Sequence, residues 1–580
     1  MLKLFKNLKP FTIGVIAVLI LMFFQAMAEL YLPTLMSDIV NKGIMKEDTD
    51  YIWSIGRLML LVAAGSAACS IIGSFISSKV AVGFGRDVRS KVFSRVESYS
   101  LNEFDKIGTA SLITRTTNDI NQVQMVLVMI LRFMISAPMT CIGGFILAFS
   151  KDRQLSLILV VALPLLAAVI TIIAGRGIPL FKAVQTKLDK LNLVMRENLT
   201  GIRVIRAFNR TGYEKKRFTE ANGDLTDTSI RVNKIMAAMM PMMMIIMNLT
   251  TLAIVWFASV LMNNGDMDTI STGAGNMMAF MQYAMQIMFS FIMLSMMFVM
   301  VPRAQVSAVR INEVLDMEPE INDPKEGKST ELKRGYVEFK DVTFSYPGAE
   351  EPAIKDITFS ANPGEVTAII GGTGSGKSTL VNLIPRFYDI ESGSILVDGV
   401  DIREMTQESL RAKIGFIPQK AVLFTGTISD NIRYGRNEAT EDEIRHAAGV
   451  AQAMEFISDM KDGFKSEIAQ GGTNVSGGQK QRLSIARALV RKPEIYIFDD
   501  SFSALDFKTD AKLRAALRKE IANSTVLIVA QRVSTVMDAD RIIVLDDGQI
   551  AGVGNHRELM NTCEVYREIV ASQLSEEEIA

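Results

Sequence analysis

Six long apolar runs without a charged residue lie in the first 302 residues of this chain of 580 residues, and none follows them. A helix needs about 20 apolar residues to cross a bilayer, and buried helices of soluble proteins are usually shorter. The sequence therefore predicts six membrane-spanning helices followed by a soluble domain. The six runs cover residues 11–28, 58–78, 133–150, 154–175, 235–265 and 269–302.

Lysine and arginine are distributed unevenly among the segments between these runs. Segments 79–127 and 176–234 hold seven and thirteen of them, whereas 41–57, 151–153 and 262–268 hold three, two and none. Because basic loops stay preferentially on the inner side of a membrane, both termini and the two basic loops are expected in the cytoplasm. Helical patterns in the basic loops predict that the spans continue as helices into the cytosol.

Charge and cysteine content exclude two classes of protein. A formal net charge of −1 argues against a nucleic-acid-binding protein, which carries a basic excess. The three cysteines, Cys69, Cys141 and Cys563, are scattered without the spacing of a metal site or a disulfide framework. The chain is therefore expected to be a reduced membrane protein.

The composition changes after the last apolar run. Residues 317–335 are polar and contain proline, which predicts a linker between a transmembrane domain, 1–316, and a soluble domain, 336–580. The soluble part alternates short β runs with helical ones, and several β runs are continuously apolar, as in a buried parallel sheet. This pattern predicts an α/β domain.

A glycine-rich stretch, GGTGSGKST, fits the phosphate-binding pattern G-x-x-x-x-G-K-[ST] between an apolar strand and a helical run. Backbone N–H groups of such a loop wrap a phosphate at the positive end of a helix. Lys377 is expected to reach the β- and γ-phosphates, and the Ser378 hydroxyl to bind Mg²⁺. The candidate ATP-binding residues are Gly371, Gly372, Thr373, Gly374, Ser375, Gly376, Lys377, Ser378 and Thr379.

An aspartate, Asp499, follows the apolar run 495–498 at the expected end of a core strand. In P-loop enzymes an aspartate at this position helps to hold Mg²⁺, usually through a water molecule. An ordinary strand-ending turn residue is the alternative, but the P-loop earlier in the chain favours the Mg²⁺ role.

A second anion site is indicated by Ser476, Gly477 and Gly478, which directly precede a strongly helical run. One domain does not easily close two such sites on one nucleotide. The second site is therefore expected to serve the ATP of another subunit, with a simple helix cap as the alternative.

Taken in order, these motifs resemble those of ATP-binding-cassette (ABC) exporter half-transporters. Tyr346 resembles the aromatic residue that stacks on adenine, and Gln419 the Q-loop glutamine that contacts Mg²⁺ and the membrane domain. VSGGQ, which ends at Gln479, resembles the signature motif, and SALD, residues 503–506, the D-loop. The resemblance implies an all-α transmembrane domain of six helices, followed by an α/β P-loop nucleotide-binding domain with an α-helical subdomain. In this family two such domains enclose two ATP molecules, each between the P-loop of one chain and the signature of the other.

Three positions depart from the family pattern. Asp500 stands where the family has a catalytic glutamate, and a carboxylate misplaced by about 1 Å costs about 10²-fold in rate. Gln531 replaces the switch histidine and carries no titratable proton, while His446 and His556 lie in other motifs. Gln470 stands where exporters usually have a glutamate facing the coupling helices.

The signature residues Ser476 to Gln479 are intact, so the changes affect only groups that serve the chain's own ATP. This asymmetry resembles the degenerate-site subunit of heterodimeric bacterial multidrug exporters in the plasma membrane. We expect a partner half-transporter with the glutamate and the histidine, and a hydrophobic or amphipathic substrate. A mainly regulatory ATP-binding subunit and a homodimeric lipid or peptide exporter are the alternatives.

Methionine is concentrated in segment 236–300, which holds 18 of the 35 in the chain. Four of them fall on one face of the last span at helical spacing, and methionine suits surfaces that accept varied apolar ligands. A substrate surface and ordinary helix packing both remain open for this stripe of Met277, Met281, Met285 and Met288. Arg132 is similarly open between a cavity and the inner membrane interface.

Overall fold

The computed structural model describes residues 1–263, 267–328 and 334–574. The chain forms two compact units, of which unit 1 comprises Met1–Glu97 with Ala110–Met317, and unit 2 comprises Ser98–Thr109 with Glu318–Ala580. Residues 98–109, which the sequence places in the transmembrane domain, thus belong to unit 2. Residues 329–333 of the predicted linker and the end of the predicted soluble domain, 575–580, lie outside the described residues.

The described part of unit 1 is helical, and each predicted span lies almost entirely within one long helix. In lipid a helix satisfies all of its own backbone hydrogen bonds, which favours this architecture. Among the described residues, six helices are long and apolar enough to cross a membrane. The end of the fifth predicted span, after residue 263, lies outside the described part of the chain. The long helices are α2 Thr12–Asp38, α3 Thr49–Glu97, α6 Ile120–Lys151, α7 Arg153–Thr200, α9 Thr211–Asn263 and α10 Met267–Asp316.

Shorter elements connect these helices. Helix α1 (Leu2–Phe5) and a 3₁₀ segment (Lys6–Phe11) precede α2, which ends in a π-helical turn. Helices α4 (Leu101–Ile107) and α5 (Thr109–Thr114) follow α3, and α8 (Ile202–Ala207) separates α7 from α9.

The helices extend far beyond the apolar runs. Helices α3, α7 and α9 contain 49, 48 and 53 residues. At about 1.5 Å per residue each is more than ~70 Å long, over twice the ~30 Å hydrocarbon core of a bilayer. The sequence prediction that spans continue as helices outside the membrane agrees with these lengths.

Helix pairing in unit 1 is selective: α2 packs against α3, α6 against α10, and α7 against α9. Phe280 and Tyr283 of α10 are completely buried in this packing. The Tyr283 hydroxyl lies 2.6 Å from the Thr34 hydroxyl, which satisfies its polar end. Close approach of α6 and α10 requires Gly144, where an added Cβ would lie 2.9 Å from Ile287.

An ion pair with a buried carboxylate links the turn before α6 to α10. Asp119 closes a π-helical turn (Arg115–Asp119) and is fully buried. Its carboxylate accepts hydrogen bonds from Ser307 at 2.8 Å and from Arg310 at 2.6 Å. A buried carboxylate without such partners is strongly disfavoured, so this cluster specifies how the two helices align.

Unit 2 contains two main sheets. Strands β3 Val366–Gly371, β6 Ile414–Ile417, β9 Ile495–Asp499, β10 Thr525–Val529, β11 Arg541–Asp546 and β12 Gln549–Gly554 form the larger one, in the order β12-β11-β3-β10-β9-β6. All neighbours in it are parallel except β11 and β12. The smaller sheet is antiparallel, in the order β2-β1-β4-β5. Its strands are β1 Val337–Phe344, β2 Ile354–Ala361, β4 Ser392–Val397 and β5 Val400–Asp401.

Helices cover the larger sheet and form a separate layer with a two-stranded ribbon, β7 Gly426–Thr427 and β8 Glu467–Ile468. The predicted α/β domain with an α-helical part is therefore confirmed. The helices are α11 Lys377–Leu383, α12 Gln407–Ala412, α13 Ile428–Arg433, α14 Glu441–Val450, α15 Met454–Asp459, α16 Gly477–Arg491, α17 Phe507–Glu520, α18 Val533–Val536, α19 His556–Thr562 and α20 Glu564–Ala571.

Helix α4 is the part of the first long basic loop that belongs to unit 2. Ser100 caps it through a capping box with Glu103. Glu103 is buried and accepts a hydrogen bond from the Glu320 backbone at 3.0 Å, and Asn102 donates to the Glu320 carboxylate at 2.6 Å. The helix is thus held by specific polar contacts as well as by its own cap.

The same substitution, valine to alanine, is expected to change the free energy of unfolding differently at a buried and at an exposed strand position of unit 2. Val342 in β1 is 0% exposed, whereas Val553 in β12 is 47% exposed. Val342→Ala should lower the free energy of unfolding by about 2 kcal/mol because it removes buried methyl groups and leaves a cavity. Val553→Ala should change it by less than about 0.5 kcal/mol. Thermal unfolding of the full chain checks this, and equal melting temperatures for the two variants would contradict it.

Candidate functional site: a nucleotide cavity in unit 2

The glycine-rich loop links β3 to α11. Strand β3 is buried up to its last residue, and the loop reverses the chain through Gly374 and Gly376, with φ of +87° and +91°. These values favour glycine. At Gly376 an added Cβ would also lie only 2.7 Å from the Ala353 carbonyl oxygen. The loop thus has the local geometry that its sequence predicts.

Lys377 begins α11 and lies inside this loop. Its Nζ donates to the carbonyl oxygens of Gly371 at 2.9 Å and Gly372 at 2.6 Å, and lies 3.5 Å from the Ser375 hydroxyl. Burial lowers the pKa of Lys377, and the charges of Asp500 and Asp499 oppose this shift only in part. A phosphate beside Lys377 would stabilise its charged form.

The hydroxyl of Ser378 donates to Oδ1 of Asp499 at 2.8 Å. Asp499 is the last residue of β9 and only 5% exposed. Burial raises the pKa of Asp499, the Ser378 hydrogen bond lowers it, and the neighbouring Asp500 raises it further. Because the ionised carboxylate is disfavoured here, a divalent cation would stabilise it.

These groups open onto a cavity of about 350 Å³. Its described lining includes residues of the loop together with Tyr346, Gln419 and Gln531, which are far apart in sequence. The residues are Tyr346, Ala353, Thr373, Gly374, Gly376, Lys377, Ser378, Thr379, Gln419 and Gln531. The structure therefore brings most of the predicted ATP-binding residues of this chain to one place; Gly371, Gly372, Ser375 and Asp499 are outside the described lining, and Asp499 contacts it through Ser378.

Tyr346 stands at the aromatic side of this cavity. Its hydroxyl lies 3.0 Å from the Thr379 hydroxyl, and its ring meets Tyr388 edge-on at 5.4 Å between centroids. Burial raises the pKa of Tyr388 to about 12. The sequence analysis did not select Tyr388, whose only signal was an aromatic pair, Phe387-Tyr388, after the P-loop helix.

Asp500 is held by both of the glutamines that line the cavity. Its Oδ2 accepts hydrogen bonds from Nε2 of Gln419 at 3.1 Å and from Nε2 of Gln531 at 2.9 Å. Asp500 is 7% exposed and has a φ of +45°, and its N–H donates to the Val529 carbonyl at 2.9 Å. One carboxylate oxygen is thus shared by two amide donors.

The signature residues lie at another place in unit 2. Ser476 caps α16: its hydroxyl accepts from the Gln479 N–H at 3.3 Å, and Oε1 of Gln479 accepts from the Ser476 N–H at 2.8 Å. Ser476 and Gly477 are exposed. An added Cβ at Gly478 would lie 3.1 Å from the carbonyl of Ala504 in the predicted D-loop. None of the four signature residues is among the described lining of the nucleotide cavity.

The remaining sequence candidates are also away from the cavity. His446 pairs with Glu520 at 3.0 Å, and His556 with the Tyr566 hydroxyl at 2.8 Å. Gln470 lies in a 3₁₀ turn (Gln470–Gly472) and is exposed. Asp506 caps α17 by accepting from the Thr509 N–H at 3.0 Å, a contact that lowers its pKa.

Comparisons with known proteins agree with this architecture. Residues 15–300 match the family described as ABC transporter transmembrane region, and residues 354–503 match the family described as ABC transporter. An uncharacterized ABC transporter ATP-binding protein of Mycobacterium tuberculosis (strain CDC 1551 / Oshkosh) is 41% identical over 572 residues, 98% of this chain and 97% of that protein.

Two further proteins have established names or structures. The ATP-dependent lipid A-core flippase of Vibrio parahaemolyticus is 31% identical over 99% of this chain and 98% of its own length. A bacterial Atm1-family ABC exporter solved with ATP bound has the same fold, with a TM-score of 0.79 at 24% identity over 97% of this chain and 98% of that one.

The chain belongs to the ABC transporter family. It is a multi-pass membrane protein with the architecture of an exporter half-transporter, and its C-terminal part is an ABC ATPase domain that binds ATP. The residues of the cavity suit an ATP–Mg²⁺ complex: Lys377 would contact the phosphates, and the paired hydroxyl of Ser378 and carboxylate of Asp499 would offer the hard oxygen donors that Mg²⁺ prefers.

Removal of the buried ammonium group tests this assignment. Lys377→Ala should weaken ATP binding by the full-length chain about 10- to 100-fold, the effect of losing charged hydrogen bonds to phosphate. Titration with a fluorescent ATP analogue measures the dissociation constant. Lys355→Ala, which removes an exposed lysine from β2, is the control and should leave it unchanged. Equal affinity in the two variants would contradict the role of Lys377.

Proposed function

We propose that this chain is one subunit of a heterodimeric, ATP-driven exporter in a bacterial plasma membrane, and that it moves hydrophobic or amphipathic compounds. Its own ATP site, built on the P-loop, Tyr346, Gln419 and Asp499, binds nucleotide but hydrolyses it slowly. Its signature residues complete the hydrolytic site of the partner. Both termini and the nucleotide-binding domain are cytoplasmic, as the basic loops indicate.

The observation that carries this proposal is the bonding of Asp500. A general base needs an oxygen within hydrogen-bond reach of the water it activates. Here Oδ2 of Asp500 already accepts from Gln419 and Gln531, so a water proton would compete with two donors at this oxygen, and Oδ1 is left as the oxygen for the water. The shorter side chain also keeps the carboxylate nearer the backbone than a glutamate would, and Gln531 supplies no proton.

The signature residues support the second half of the proposal. Ser476 and Gly477 are exposed at the start of α16, a helix of 15 residues. Their N–H groups and the Ser476 hydroxyl suit an anion presented from outside the chain. Because these residues are intact while Asp500 and Gln531 are altered, we assign catalysis to a site that the partner's own glutamate and histidine complete.

A homodimeric lipid exporter is the second candidate, because named relatives at about 30% identity are lipid A-core flippases. In that case both sites would carry Asp500 and Gln531 and be slow, and the chain alone would hydrolyse ATP as fast as it does with a partner chain. A mainly regulatory ATP-binding subunit, with all hydrolysis at the partner's site, differs from the main proposal only in whether the site of Lys377 turns over at all.

Restoration of the family residues tests the altered site. The double substitution Asp500→Glu with Gln531→His should raise hydrolysis at this site about 10- to 100-fold, because it repositions the base and restores a titratable partner. The assay follows phosphate release by the chain with its natural partner, whose own site is inactivated. An unchanged rate would contradict our interpretation of the two positions.

Substitution of two similar helix-capping residues, one in the signature motif and one outside it, tests the role of the signature in ATP hydrolysis. Ser476→Ala and Thr440→Ala each remove a capping-box hydroxyl and should each cost about 1 kcal/mol of stability. Only Ser476→Ala should lower ATP hydrolysis by the assembled transporter, by tenfold or more, because Ser476 also faces the partner's nucleotide. Equal hydrolysis by the two variants would mean that Ser476 is only a helix cap.

A further inference from the structure

A second cavity, of about 560 Å³, lies within unit 1 between α2, α6, α9 and α10. Its lining combines polar side chains with aromatic and methionine side chains. Glu29 of α2 is the charged residue of the described lining, and it lies directly after the charge-free run 11–28. Ionisable residues at such positions in membrane helices are costly and usually serve a function.

The hydrogen bonds around Glu29 leave acceptors in excess. Nε2 of Gln25 donates to Oε1 of Glu29 at 2.9 Å, and Nε2 of Gln286 donates to the Glu29 carbonyl at 3.2 Å. The opposite orientation of either amide would place its oxygen against an oxygen of Glu29 and lose the hydrogen bond. Oε1 of Gln25 and Oε1 of Gln286 are then buried, and neither accepts a hydrogen bond from any described residue.

Two of the three hydroxyl groups of the described lining donate elsewhere. Ser136 donates to the Arg132 carbonyl at 2.8 Å, and Thr140 donates to the Ser136 carbonyl at 2.9 Å. Within the described chain, Glu29 also forms no ion pair with a lysine or arginine. A buried acceptor without a donor costs about 1–3 kcal/mol, so this polar corner favours a ligand that brings both positive charge and N–H groups.

The rest of the lining is apolar and adaptable. Phe133, Phe289, Met247, Met285 and Met293 all line the cavity, and methionine accommodates varied apolar shapes. Of the methionine stripe predicted on the last span, Met285 lines the cavity, whereas Met288 is 2% exposed within helix packing. One methionine of the stripe therefore lines a cavity and another belongs to helix packing, which are the two roles that the sequence left open.

We propose that this cavity binds the transported compound, and that Glu29 selects amphiphiles with a protonated amine. The ammonium N–H groups donate to the Glu29 carboxylate and to the amide oxygens of Gln25 and Gln286, while the hydrocarbon part packs on the methionines and phenylalanines. An anionic headgroup is repelled by Glu29. The inference rests on the proposed export function, since it names the substrate class of that exporter.

Binding to the assembled transporter in phosphatidylcholine nanodiscs tests the selection. Four ligands with the same chain and different heads are compared by calorimetric titration: decylammonium, decyltrimethylammonium, decanol and decanoate. Decylammonium should bind most tightly and decanoate most weakly. Glu29→Gln should raise the dissociation constant of decylammonium about tenfold, the loss of one charged hydrogen bond, and leave that of decanol unchanged, which shows that the cavity persists.

Two glutamines of α10 give the matched control. Gln286 lines the cavity, whereas Gln282, one turn earlier, is exposed and outside the described lining. Gln286→Leu should weaken decylammonium binding, and Gln282→Leu should not. Equal decylammonium affinity in wild type and Glu29→Gln, or decanoate binding as tight as that of decylammonium, overturns the inference.

Two further arms separate the source of the ligand and the export function. Phosphatidylethanolamine, which carries the same ammonium group, is added to the nanodiscs. If it competes with decylammonium, a lipid headgroup is the occupant; if it does not compete, the occupant is a free amphiphile. Both results are consistent with the amine site. ATP hydrolysis is measured in the same samples. Selective binding without any stimulation of hydrolysis would count against amphiphile export while the cation site stands.

Discussion

The parallel pairing of β3, β10 and β9 is the interaction on which the rest of unit 2 depends. Val529 at the end of β10 lies opposite Ile369 of β3 and Asp499 of β9. Because the carboxyl ends of parallel strands meet at one edge of a sheet, the P-loop, Asp499 and Gln531 emerge side by side. A one-residue shift of register would turn every side chain of a strand to the opposite face.

The charged side chains of the nucleotide cavity are largely buried, and burial shifts their pKa values. Burial lowers the pKa of Lys377 and raises the pKa of Asp499. Each shift disfavours an ion that ATP or Mg²⁺ would stabilise, so the site gains most from binding both together. Asp500 differs because one oxygen of its carboxylate, Oδ2, already accepts hydrogen bonds from the amides of Gln419 and Gln531.

The polar groups of unit 1, which consists of membrane helices, must also find hydrogen-bond partners inside the protein. Its helices satisfy their own backbone groups, and buried polar side chains such as Tyr283 and Thr34 pair with each other. The corner around Glu29, on which our substrate proposal rests, is one place where buried polar atoms lack a partner in the described chain, and there the unpaired atoms are amide oxygens. This excess of hydrogen-bond acceptors depends on how the amide side chains are oriented, and the amino-acid sequence does not specify that orientation.

Much of this protein follows from its sequence alone. The six charge-free runs determined the membrane helices, since crossing a bilayer requires that length, and G-x-x-x-x-G-K-[ST] determined the phosphate loop, since its glycines adopt φ values that other residues avoid. The sequence also selected Asp500, Gln531, Gln419 and Tyr346. These features depend on local chemistry and on spacing along the chain.

Only the tertiary structure decided that Gln419 and Gln531 meet on one oxygen of Asp500, that Tyr388 supports Tyr346, and that Met285 rather than Met288 lines a cavity with Glu29. Each of those contacts joins residues on different elements, or depends on which side of a helix meets its neighbour, and packing alone fixes that.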